Sequence, residues 1–82
     1  MNWYVHSHAT CEGETSVVFI SKPESKFCVM YIEGELVRIR VESGELIRLA
    51  IPLSVLNELQ YNPVTRLIMN AGILIPYLQG VN

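Results

Sequence analysis

The chain contains no aspartate. That removes Asp-rich calcium loops and Asp-based catalytic triads together. Histidine is limited to His6 and His8, and cysteine to Cys11 and Cys28. The opening residues, Met1-Asn2-Trp3-Tyr4-Val5-His6, lack the basic start and apolar run of a signal peptide. No apolar run approaches the ~20 residues that cross a bilayer. The expectation is a cytoplasmic protein with reduced thiols and no membrane segment.

Charge is also scarce. Only 17% of the 82 residues are charged, and the net charge is −2, where soluble domains average about a quarter charged. A general nucleic-acid binder shows a basic footprint, and this chain has none overall. No glycine loop of the phosphate-cradling kind is present. No Ser or Cys sits in a nucleophile setting with a His and an acid. The expectation is a protein that is not an enzyme and carries no cofactor.

What the chain has in excess is apolar material, at 50% hydrophobic. A chain of this mass makes one domain (1–82) and exposes roughly 5,000 Å² when folded. So small a core is marginal, and the surplus apolar residues predict a homodimer, a higher oligomer or an obligate protein partner.

The organising stretch is residues 34–51, a near-repeat in which Gly34-Glu35-Leu36-Val37-Arg38-Ile39 recurs as Gly44-Glu45-Leu46-Ile47-Arg48-Leu49. Each copy alternates at period two, the mark of a half-buried strand. Val37, Ile39, Val41, Ile47, Leu49 and Ile51 fall on one face. Leu36, Arg38, Arg40, Leu46, Arg48 and Ala50 fall on the other. A two-residue Ser43-Gly44 loop would mix the faces. A three-residue loop, Glu42-Ser43-Gly44, pairs Ile39 with Ile47 and Val37 with Leu49, and puts Gly44 at a left-handed position that suits a residue without Cβ. That register sets Arg38 opposite Arg48, a repulsive pairing that is either screened by solvent and nearby Glu or kept for an anionic partner.

Upstream, residues 3–9, 15–21 and 27–32 read as strands, separated by turns at 11–14, 22–26 and 33–35. Downstream, Pro52 opens a short helix over 52–60, and Val64, Leu67, Ile68 and Ala71 space a second over 64–71. The fold reading is α+β: a five-strand antiparallel β-meander over 1–51, with one or two C-terminal helices packed on one face over 52–82. The third strand is apolar on both faces, so part of the Arg face must be covered, and the C-terminal third is the expected cover. The apolar tail, 73–78, packs either on its own domain or on another subunit.

Four groups of residues are candidates for function. His6 and His8, two apart on a strand, share a face, with Cys11 nearby. They fall short of the ligand count that zinc prefers, and no metal site is assigned. Glu12, Glu14, Glu33 and Glu35 lie on turns that share one end of a meander and form an acidic rim suited to a basic protein surface. Tyr61, Tyr77 and Leu78 are candidate protein-binding anchors. Arg38, Arg40 and Arg48, beside an aromatic from Phe27 or Tyr31, form a face of the kind that holds single-stranded nucleic acid. The function expected is a small protein-interaction module, a stoichiometric inhibitor or adaptor of the phage or plasmid accessory type. The alternative is a single-stranded nucleic-acid-binding domain using the Arg face.

Overall fold

The structure, a computed structural model, describes residues 2–41, 43–61 and 68–79. Five strands follow one another in space as in sequence: β1 (Asn2–Cys11), β2 (Glu14–Lys22), β3 (Phe27–Glu33), β4 (Leu36–Arg40) and β5 (Leu46–Arg48). Every neighbouring pair is antiparallel. The meander exists because each strand is short and closes on the last through a turn of few residues. Glu12 and Gly13 take φ of 51° and 83°, and Gly34 takes 58°. A Cβ added at Gly13 or Gly34 would meet nothing within 4 Å, so backbone conformation rather than crowding is what favours glycine at these two positions.

The β4–β5 hairpin has the expected register. Arg38 lies opposite Arg48, and Ile39 opposite Ile47. The Leu49 N–H donates to the Val37 carbonyl at 2.8 Å, which continues the same pairing. The loop closes through Val41 N–H to the Glu45 carbonyl at 3.0 Å and Gly44 N–H to the Val41 carbonyl at 2.8 Å, with Gly44 at φ 87°.

One face of the sheet makes the core. Trp3 comes from β1, Val17 and Phe19 from β2, Met30 and Ile32 from β3, and Val37 and Ile39 from β4, all buried. Over them lies a 3₁₀ helix, Ala71–Leu78, whose Ala71, Leu74 and Leu78 are buried in the same cluster. Ala71 and Leu74 stack at the three-residue period of that helix. Pro76 fits inside it because a short 3₁₀ run leaves few backbone donors to satisfy. The apolar tail therefore packs on its own domain.

Two expectations are corrected downstream of residue 51. The helix over 52–60 shortens to α1 (Leu53–Leu56), with turn-like hydrogen bonds continuing to Leu59. Residues 64–67 of the expected second helix lie outside the described residues. Residues 68–70 of it are not helical: β7 (Ile68–Met69) pairs with β6 (Gln60–Tyr61) in a two-stranded ladder. The helical run begins after Asn70, which takes a left-handed φ of 65° and hydrogen-bonds through its side-chain amide to the Glu58 carbonyl at 3.3 Å. Asn tolerates that conformation better than any β-branched residue would.

The third correction concerns the cover. The C-terminal segment lies on the face that carries Cys28, Met30 and Ile32, not on the Arg face. Periodicity says which residues share a face, but not which face a distant segment will choose. Here it chose the more continuous apolar one.

Candidate interaction face

The opposite face of the meander has nothing over it among the described residues. Its rows can be read from the register. Tyr4, Ile20 and Phe27 lie across β1, β2 and β3. Ser7, Val18, Val29, Arg40 and Leu46 form the next row, and Ala9, Ser16, Tyr31, Arg38 and Arg48 the one after. Phe27 is 62% exposed and Tyr4 47%. Val18, Ile20 and Val29 are half-buried. A monomeric surface rarely leaves aromatics and branched aliphatics adjacent in this way without a use.

Each aromatic on this face has a basic neighbour. The Lys22 ammonium lies 5.5 Å from the Tyr4 ring centroid, and the Arg40 guanidinium 5.9 Å from that of Tyr31. His6 meets Phe27 edge-on, with centroids 6.0 Å apart and planes at 81°. These distances fall within cation–π range for the first two pairs. Arg40 also donates to the Gly44 carbonyl at 3.0 Å, which holds it over the ring. Arg38 reaches Glu14 at 3.5 Å, a long, part-exposed ion pair of little strength. Its Nε is enclosed and has no acceptor among the described residues, so Glu14 satisfies only part of that guanidinium.

The histidine pair is split by the backbone. The register slips between Val5 and Ser7, which makes His6 the extra residue of a bulge. A bulge shifts the alternation by one. Trp3 and Val5 face the core before it, and His8 faces the core after it, opposite Val17. The Nδ1 of His8 is enclosed and unpartnered among the described residues, while His6 is exposed on the open face. The two imidazoles thus do not share a side, against the expectation, and no group of three metal-binding side chains occurs among the described residues. Cys11 is exposed and Cys28 buried, both as free thiols. Burial pushes the Cys28 thiol above its usual pKa range.

The acidic turns do come to one end of the sheet. Glu14 begins β2 and Glu33 ends β3, next to Glu12 and Glu35 in the two turns. Below them a cleft of about 380 Å³ runs between Gly13, Ile32, Gly34 and Glu35 on the sheet side and Leu53, Leu56, Asn57 and Leu59 on the helix side. It offers the Glu35 carboxylate and the Asn57 amide beside leucine and isoleucine side chains.

The protein-binding anchors are placed differently from one another. Leu78 is fully buried, so it serves the core and is not presented at the surface. Tyr77 is half-buried. The Tyr61 backbone belongs to β6, and its side chain lies outside the described residues. The sequence reading missed Tyr4 and Lys22. The parity of Lys22 was recoverable from the alternation of residues 15–21, whereas Tyr4 joins that face only through the bulge at His6.

No protein-family model, curated protein or solved structure matches this chain.

Proposed function

We propose that this chain is a small interaction module that acts by surface complementarity, with the open face of the meander as its contact surface. The observation that carries this reading is the placement of the surplus apolar residues. The exposed surface totals 5297 Å², close to the roughly 5,000 Å² expected of a folded chain of this mass. The fold therefore closes normally, and three of the five large apolar side chains left exposed among the described residues, Phe27, Tyr4 and Leu46, lie on one face with the half-buried Val18, Ile20 and Val29 between them, while Ile47 and Leu53 lie elsewhere. Tyr, Phe and Arg, the side chains enriched at contact centres, predominate there.

Two partner classes meet that description. Against a protein, the module would act as a stoichiometric inhibitor or adaptor, with the acidic rim of Glu12, Glu14, Glu33 and Glu35 at one end of the sheet. A second copy of the chain is one such protein. Against a nucleic acid, the basic neighbours of the aromatics would meet phosphate, with Arg38, Arg40 and Arg48 along one side. A cytoplasmic setting fits both, with Cys11 and Cys28 as free thiols. Among the described residues no helix is long and apolar enough to cross a membrane.

The test at this level is affinity capture from the native host with the wild-type chain and with Phe27→Glu. A charge at position 27 should abolish capture of the partner without lowering the melting temperature. Equal capture by both would remove the sheet face from the reading. Light scattering of the free chain decides whether the partner is a second copy.

A further inference from the structure

We infer that the occupant of the open sheet face is single-stranded nucleic acid, held by stacking on Phe27 and Tyr31 with its phosphates on Arg40, Arg48 and Lys22. The inference rests on the interaction-module reading and names its partner.

Three observations favour a polyanion with flat, apolar rings over a protein surface. The first is the pairing of rings with bases. A protein partner would seek a continuous dry patch, but on this face two of the three rings sit beside a cation, Lys22 by Tyr4 and Arg40 by Tyr31, and the third, Phe27, meets His6 edge-on. Single strands are bound by that combination, since every base has a stackable face and every nucleotide a charge.

The second is the distribution of charge. The chain is acidic in total, yet the acids on this face, Glu14 and Glu33, sit together at one end of it. Arg38, drawn to Glu14, marks the boundary. Beyond that boundary the described residues of the strands present only Lys22, His6, Arg40 and Arg48 as ionisable groups besides the tyrosines. The loops that flank this far end bring Glu24 and Glu45, both exposed. A strand running diagonally from the Lys22–Tyr4 corner over Phe27 to Arg48 passes between acidic ends and stays on cationic ground.

The third is the repulsion left standing in the sheet. Arg38 and Arg48 are directly opposed, an arrangement that costs stability in the free chain. A phosphate between them would remove the repulsion and receive hydrogen bonds from both guanidinium groups. Along β3, Phe27 and Tyr31 are four residues and so about 13 Å apart on one face, with Val29 between them. That span suits a strand of a few extended nucleotides, within the range of roughly 4–16 covered by small sheet-based binding domains.

The test uses the whole chain and a fluorescently labelled oligodeoxythymidylate of about fifteen nucleotides, with the matching oligouridylate and a duplex of equal length. Anisotropy titration at low salt should show saturable binding of the single strands and weaker binding of the duplex. The affinity should fall with salt, the log–log slope being roughly −2 to −3 for three or four phosphate contacts. Phe27→Ala and Tyr31→Ala should each weaken binding on the order of tenfold. Arg40→Ala and Arg48→Ala should weaken it and flatten the slope. Leu53→Ser, on the far side of the sheet, should leave it unchanged. Circular dichroism on each variant separates loss of binding from loss of fold.

A flat titration of the folded wild type with both single strands overturns the inference, as does binding indifferent to Phe27→Ala and Arg48→Ala. The capture experiment then reads the underlying reading separately. A protein held by the wild type and lost with Phe27→Glu would keep the sheet face as a contact surface with a different occupant. Capture indifferent to that substitution would take both down.

Discussion

Phe19 and Phe27 sit on adjacent strands of one sheet, and they do opposite things. Phe19, on β2, is fully buried under the C-terminal 3₁₀ helix. Phe27, on β3, is 62% exposed beside His6 on the other face. The two differ only in the parity of their positions along the ladder. What separates a buried residue from an exposed one on this sheet is therefore which side the tail covers. On the reading proposed above, the covered face supplies stability and the open face is the contact surface.

Breaking that contrast gives the largest expected effect. Phe19→Ala should cost about 3–5 kcal/mol in urea unfolding, enough to unfold much of a domain with marginal stability. Phe27→Ala should change the same measurement by no more than about 0.5 kcal/mol. Equal losses at the two positions would mean that the open face is covered in solution.

The second comparison is between two leucines of the C-terminal third. Leu74 is fully buried and Leu53 is 52% exposed. Leu74→Ala should destabilise by about 2–5 kcal/mol and Leu53→Ala by well under about 1 kcal/mol. A mild Leu74→Ala phenotype would show that the tail is not part of the fold that holds the sheet.

The third sharpens the difference in purpose between the faces. Arg48→Thr removes one member of the opposed arginine pair and adds a good strand former. Stability at low salt should rise by roughly 0.2–1 kcal/mol, and the gain should shrink as salt screens the charges. The same substitution should weaken partner binding. A variant more stable and equally competent would leave the repulsion without a purpose.

The smallest effect compares the two thiols. Burial raises the pKa of Cys28, whereas Cys11 is exposed. In the folded state Cys28 keeps its proton above the ordinary thiol value of 9.0, while in the unfolded chain it ionises there. The unfolded state then binds fewer protons, so stability declines as pH rises past about that value. Cys28→Ala should flatten the alkaline limb of the pH–stability curve. Iodoacetamide should label Cys11 promptly and Cys28 only on unfolding.

Much of the sheet was legible in the sequence, because period-two alternation and turn glycines are local signals. The register of residues 34–51 followed from two requirements, that the apolar and Arg faces stay unmixed and that Gly44 take the left-handed position. The bulge at His6 was not legible. Nothing in the residues 3–9 announces an extra residue, and the slip reverses the side of His8. The C-terminal third resisted for a different reason. Its apolar residues fit a helix, a 3₁₀ turn or a short strand about equally, and the choice is made by the surface they pack on, not by their spacing. The Arg face was identified in sequence, but its emptiness was not, since that depends on where residues 71–78 settle.

Methyl NMR compares the two faces in a single sample. On titration with oligodeoxythymidylate, the account predicts shifts for the methyls of Val18, Ile20, Val29 and Leu46, which point to the open side, while those of Val17, Val37 and Ile39 stay in place. Shifts centred instead on Leu53, Leu56 and Leu59 around the cleft, with the outward methyls unmoved, would contradict it.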